Sequence, residues 1–189
     1  MNKITTIATL VAAATAMTAS AEQLVSVDLS VANQITITST GGAASTDATF
    51  SNFTGFMLAD FYNTAGSGGG TGGVGDLTTI GNPSDGSPSL FNGSTSFGID
   101  VWSFSTDTNV SVTGGQQAFS GSATWDVTAV VYAAMLAGNS SGDIWAGADT
   151  DDDIGGPDAV NVGTWALVPA PSSLAMLGLG GIVAGRRRR

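Results

Sequence analysis

The sequence predicts an all-β protein: a single antiparallel β-sandwich or jelly roll with one short helix, flanked by an N-terminal signal peptide and a C-terminal hydrophobic helix. Three observations carry that expectation. Charged residues are only 11% of the chain while glycine numbers 27, a composition suited to strands and turns and well below the roughly 25% charge of ordinary globular domains. Short runs of β-branched and aromatic residues alternate with polar ones at period two. Turn-forming clusters such as Asn82-Pro83-Ser84-Asp85-Gly86 separate the runs, and the repeated crossover helices that a parallel α/β sheet requires are missing.

Residues 1–21 have the three-part form of a secretory leader. Lys3 supplies the charged start, Ile4 to Met17 an apolar stretch, and Ala19 and Ala21 the small residues before a cleavage site after Ala21. The stretch is shorter than the roughly 20 apolar residues that span a bilayer and is broken by Thr5, Thr6, Thr9 and Thr15, so signal peptidase is the expected partner rather than a permanent anchor. Residues 22–167 then form one β-sandwich ectodomain, long enough for a hydrophobic core, and residues 168–189 form a separate tail.

Within the ectodomain, strands are expected at Gln23–Leu29, Gln34–Ser39, Thr49–Met57, Phe97–Phe104, Val110–Thr113, Ala118–Trp125, Gly142–Gly147 and Val160–Val168. In Gln34–Ser39, Ile35 and Ile37 should face the core and Thr36 and Thr38 the solvent. The glycine-rich run Ala65–Gly75 and the polar run Ser84–Ser96 read as surface loops. A phosphate-cradling role for the first is excluded, because no Gly-Lys-Ser/Thr follows. One helix is expected over Val127–Ala137, capped by Asp126, presenting Val127, Val130, Val131 and Ala134 to the core, with Gly138 left-handed after its end. Trp102, Trp125, Trp145 and Trp165 fall on predicted strands and are expected in the core rather than stacked on sugars.

Charge narrows the function classes. The net charge is −10, and all five basic residues lie in the terminal segments. From Glu22 to Pro171 there are fifteen carboxylates and no Lys, Arg or His, so each carboxylate must be solvated, hydrogen-bonded or cation-bound. Such a surface repels phosphate backbones, and nucleic acid is excluded as a partner. With no Cys anywhere, disulfides and thiolate metal sites are excluded, and no catalytic triad or thiol–imidazole pair can be assembled. Nothing singles out a carboxylate pair for glycoside hydrolysis. The chain is expected not to be an enzyme.

The sharpest chemical motif is Asp149-Thr150-Asp151-Asp152-Asp153-Ile154-Gly155. Alternating Asp149, Asp151 and Asp153 are candidate ligands for calcium, which takes six to eight oxygen donors, with Asp158 or backbone carbonyls as further donors. An EF-hand is excluded, because Ile154 stands where the loop glycine belongs and Val160 where the closing Glu belongs. The competing reading is a solvated acidic turn.

The chain ends Val168-Pro169-Ala170-Pro171, an apolar run to Gly185, and Arg186, Arg187, Arg188 and Arg189. The prolines end any strand because they lack the amide hydrogens of a ladder. As a helix, residues 172–185 would span about 21 Å at 1.5 Å per residue, short of a hydrocarbon core of about 30 Å. The arginines would stay on the cytoplasmic side. This run resembles the PEP-CTERM sorting signal of exported proteins from exopolysaccharide-producing bacteria, with Ala170 where that signal usually carries an acidic residue. The resemblance implies recognition at Pro169-Ala170-Pro171 by an exosortase-type membrane protease, a transient membrane tether, and delivery of the body to the cell surface or extracellular matrix. The segment from Trp125 through Gly138 also resembles a short helical insert of some β-sandwich domains of exported bacterial proteins, which implies a carbohydrate-binding-like architecture and no more. Two functions follow as expectations: a structural or adhesive component of an exopolysaccharide matrix or, alternatively, a carbohydrate-binding module that uses calcium. Extracellular polysaccharide is the expected partner in both.

Overall fold

A computed structural model describes residues 21–63, 70–82, 88–91, 97–147 and 159–168. The chain forms β1 (Gln23–Asp28), β2 (Gln34–Ser39), β3 (Ala48–Ser51), β4 (Phe56–Leu58), β5 (Gly70–Gly72), β6 (Val74–Gly75) and β7 (Thr78–Thr79). There follow β8 (Ser89–Phe91), β9 (Ile99–Trp102), β10 (Asn109–Val112), β11 (Phe119–Ser120), β12 (Ser122–Asp126), α1 (Ala129–Leu136), β13 (Ser141–Ala146) and β14 (Val160–Leu167). The fold is all-β and sandwich-like, as the alternation predicts, and its main sheet curls strongly.

That sheet has ten strands in the order β5-β8-β9-β4-β13-β14-β1-β2-β12-β6. Its two edge strands are neighbours in sequence, joined by Gly73 alone. The segment 70–75 pairs with β8 through its first half and with β12 through its second, so the two edges of the curled sheet meet in one stretch of chain. Counting β5 and β6 as one, the ten strands make a ring of nine. An odd ring cannot alternate in direction throughout, so one neighbouring pair must be parallel. That pair is β1 and β14, the one departure in this sheet from the expected antiparallel pattern. The ribbons β3–β10 and β7–β11 pack beside the ring.

Alternation places the core. Ile35 and Ile37 are fully buried, while Thr36 and Thr38 on the opposite face bond across to the hydroxyls of Thr124 (2.9 Å) and Ser122 (2.8 Å). Trp125, Trp165, Phe56, Phe61, Phe104 and Phe119 fill the interior. Phe56 contacts Phe119 and Phe104 at ring separations of 4.5 and 5.6 Å, and Phe61 contacts Trp165 at 4.8 Å.

Several expectations change. Thr49–Met57 and Ala118–Trp125, each read as one strand, are each broken in two, at residues 52–55 and at Gly121, which holds φ +78°. The predicted loops Ala65–Gly75 and Ser84–Ser96 contain β5, β6 and β8. Their glycine and serine content hid them, because strand pairing itself needs only backbone groups. Gly73 lies flat on the Trp125 indole, where a Cβ would come within 2.2 Å of Nε1. Only a residue without a side chain lets the strand cross there.

The helix begins later than predicted. Asp126 is the last residue of β12 and accepts from Gln34 Nε2 (3.1 Å), because the Val127 N–H donates to Asn33 O (2.8 Å) and keeps the chain extended. Thr128 is the N-cap, accepting from the Val131 N–H. The buried stripe is turned by about one residue from the predicted one: Met135 is buried, Val131 and Tyr132 half-buried, and Val130 and Ala134 exposed. The Tyr132 hydroxyl, donating to Leu29 O (2.5 Å), fixes that rotation. Gly138 is not left-handed. It is needed instead for close approach, since a Cβ there would lie 2.1 Å from Phe61 O.

Candidate functional site

Because β1 and β14 run parallel, Gln23 and Val160 stand at one end of the sheet, and Asp28 and Leu167 at the other. The chain therefore enters its fold at one end and leaves it at the opposite one. β14 is the longest strand and is paired on both sides, with β13 and with β1. Pairing continues to the last described residue: Leu167 N–H donates to Ser140 O (2.7 Å) and Val168 N–H to Val27 O (2.8 Å). Val168 is thus a half-exposed residue at the mouth of the body. Pro169, Ala170, Pro171 and Arg186 to Arg189 lie outside the described residues.

The exit end also carries the β1–β2 turn and α1. A groove of about 590 Å³ opens beside the departing chain, lined by Leu29, Ser30, Leu136, Ser140, Ala166 and Val168 among others. The sequence gives no signal for this groove, since Leu29 and Leu136 come from elements far apart in the chain. Among the described residues no helix is long and apolar enough to cross a membrane.

The entry end starts at Glu22. Its carbonyl accepts from the Thr164 N–H (2.9 Å) and hydroxyl (3.2 Å), and its carboxylate accepts from the Ala43 N–H (2.7 Å). Ala21 is exposed, and Ala19 lies outside the described residues. A second groove of about 420 Å³ at this end is lined by Thr49, Ser51, Thr54, Asn109, Gly147 and Val160 among others.

Gly147 and Ala159, which bracket the acidic segment, belong to this entry end. Asp149, Asp151, Asp153 and Asp158 lie outside the described residues. Among the described residues no group of three or more His, Cys, Asp or Glu is placed to hold a metal, and no cofactor is indicated. Several described carboxylates act as hydrogen-bond acceptors. Asp28 takes the Ser30 N–H, Asp47 the Gly114 N–H, Asp76 the Ser122 N–H, and Asp107 the Asn82 side-chain amide. In a body without basic side chains, these carboxylates are satisfied by backbone N–H groups and side-chain amides.

The tryptophans divide. Trp125 and Trp165 are fully buried, and their indole N–H groups donate to Pro88 O (3.0 Å) and Ala59 O (2.9 Å). Trp102 and Trp145 are half-buried, and Trp145 packs with Met57 and Ala59 in a small cluster apart from the main core. The hydroxyl of Tyr62 is buried with no partner among the described residues, and burial pushes its phenol well above the ordinary tyrosine range.

No curated protein matches the chain, and neither does any solved structure. Residues 167–189 match the PEP-CTERM protein-sorting motif. The match begins on the last residue of β14 and takes in Val168, the Pro169-Ala170-Pro171 triplet and all four terminal arginines. Such a motif marks an exported protein of the cell envelope, membrane-associated and processed by an exosortase. The chain therefore carries a PEP-CTERM sorting signal, joined without a spacer to the central strand of a closed β-rich body.

Proposed function

We propose that the body is a non-catalytic structural or adhesive component of the cell surface and its exopolysaccharide matrix, carried outward by the sorting tail. The observation that supports this most is the polarity of the body. The tail leaves at one end, and the attachment points of the acidic segment, Gly147 and Ala159, stand at the other. In a body held by its tail, Gly147 and Ala159 would face away from the membrane, and calcium bound by Asp149, Asp151 and Asp153 of the segment between them would bridge the body to acidic polysaccharide. Signal peptidase would remove residues 1–21, and the arginines would remain cytoplasmic until processing.

The test is the intact mass of the protein recovered from the host's surface or medium, followed by chelator washing of cells. The expected species runs from Glu22 to the Pro169–Pro171 region and is released by chelator. A mass that retains Arg186 to Arg189 would identify a permanent anchor instead, and retention of the processed protein in chelator would remove the calcium bridge.

A second reading, a carbohydrate-binding module, draws on the entry-end groove. Thr49, Ser51, Thr54 and Asn109 supply hydroxyl and amide groups there, and half-buried Trp102 and Trp145 lie on nearby strands. Saturable binding to particular glycans on an array would decide for it over a general matrix role.

A further inference from the structure

Four of the eight large apolar side chains exposed among the described residues lie where the chain leaves the body. Val31 in the β1–β2 turn is 56% exposed, Val130 and Leu136 on α1 are 76% and 57% exposed, and Val168 is 46% exposed. The groove lined by Leu29, Leu136, Leu167 and Val168 lies among them. Phe53 at the entry end is 69% exposed, and Val74 and Ile80 elsewhere are 78% and 52% exposed, but the groove at the entry end is lined mainly by polar residues. Exposed apolar side chains at the same end as an apolar-lined groove mark an interaction face.

The length of chain beyond Val168 restricts what this face can meet. Pro169, Ala170, Pro171, Ser172 and Ser173 separate it from the apolar run that starts at Leu174. Extended, five residues reach about 16 Å, and a headgroup layer takes up about 5–7 Å of that. Once the run is in the bilayer, the exit end is left too close to the lipid for another folded domain to fit between.

We propose that the exit end is a lipid-docking face: while the tail is uncleaved, Val31, Val130, Leu136 and Val168 rest in the headgroup layer of the membrane that holds it. This rests on the tail being membrane-inserted. The lipid chemistry follows from charge. Asp28, Asp60 and Asp126 belong to this end, and the body has no basic residue to attract an anionic headgroup, so the face suits zwitterionic lipid. Docking holds Pro169-Ala170-Pro171 at the membrane surface, within reach of a membrane protease, and points the entry end outward.

The test uses the chain from Glu22 to Arg189 in phosphatidylcholine vesicles that carry a nitroxide lipid labelled near the headgroup. The protein has no cysteine, so V130C and F53C each accept a single fluorophore at an exposed position. The two ends are separated by the length of β14, eight residues at about 3.3 Å each or roughly 26 Å, so quenching at V130C should exceed that at F53C several-fold. Equal quenching with the chain still floating on the vesicles overturns the docking face and leaves the anchor intact. A chain that does not float overturns the membrane-inserted tail, and the docking face with it. Adding V31S and L136S to V130C should abolish the contrast without loss of flotation, and an unchanged contrast would overturn the role of those side chains. Phosphatidylglycerol should weaken the quenching, and strengthening would overturn the zwitterionic preference.

Discussion

Two stretches of the same sheet, β14 and the segment 70–75, are built in opposite ways. β14 has eight residues, places Val162 and Trp165 in the core with no exposed surface, and is paired on both flanks. Segment 70–75 is mostly glycine, pairs with β8 by one half and with β12 by the other, and closes the ring without a large side chain of its own in the core. Buried side chains hold the first, and backbone hydrogen bonds with one glycine-to-indole contact hold the second. The sorting tail follows the strand that is paired on both flanks and buried, so the closing seam is expected to open without loosening β14. In native-state hydrogen exchange, amides of β14 should approach global protection while those of 70–75 exchange by local opening.

The largest test of that contrast is Trp165→Ala. It removes the ring packed on Phe61 and leaves Ala59 O without its indole donor, so a loss of about 3–5 kcal/mol is expected in urea unfolding. Trp145→Ala, at a half-buried site, should cost clearly less, and equal losses would remove the special status of β14. Next comes Gly73→Ala, where the new methyl meets the Trp125 indole. A cost of about 1–3 kcal/mol is expected, with faster exchange confined to 70–75, β8 and β12. A change that spreads equally to β14 would show that the seam and the central strand are one cooperative unit.

The smallest effect is at Tyr62, whose buried hydroxyl lacks a partner among the described residues. Tyr62→Phe should change stability at neutral pH by less than about 1 kcal/mol, because the polar atom it removes is unpaired. The folded-state phenol is raised by burial, so its contribution is fully present below the unfolded value of about 10 and is lost as pH rises above it. Above pH 10 the wild type should lose about 1.4 kcal/mol per pH unit through this group. A Tyr62→Phe variant with the same alkaline slope would show that another group is responsible.

The legible and illegible parts of this chain divide along physical lines. Period-two alternation located β1, β2, β9, β10, β13 and β14, because a half-buried strand writes its two faces into neighbouring residues. It failed at β5, β6, β7 and β8, whose stability comes from the strands beside them, and it ran through the breaks at residues 52–55 and Gly121. The helix was legible as a helix, but its cap and buried stripe were not. Asn33 holds Val127 extended and Leu29 holds Tyr132 inward, and both partners lie about a hundred residues earlier in the chain. The candidate ligands Asp149, Asp151 and Asp153 lie outside the described residues, whereas the Pro169-Ala170-Pro171 triplet and Arg186 to Arg189 lie within the matched sorting motif.

By itself, the sequence determined the C-terminal address, the all-β class and the absence of basic side chains from the body. A sorting signal is read as a linear stretch, and composition and period are local properties. Only the tertiary structure decided that the sheet closes through 70–75, that the one parallel pair of the odd ring is β1 and β14, and that Val168 stands at the opposite end from Gly147 and Ala159. Those outcomes depend on pairings between residues up to about 140 positions apart, as between Gln23 and Thr164. Local propensity carries no information about such pairings, because their free energy exists only once both strands are in place.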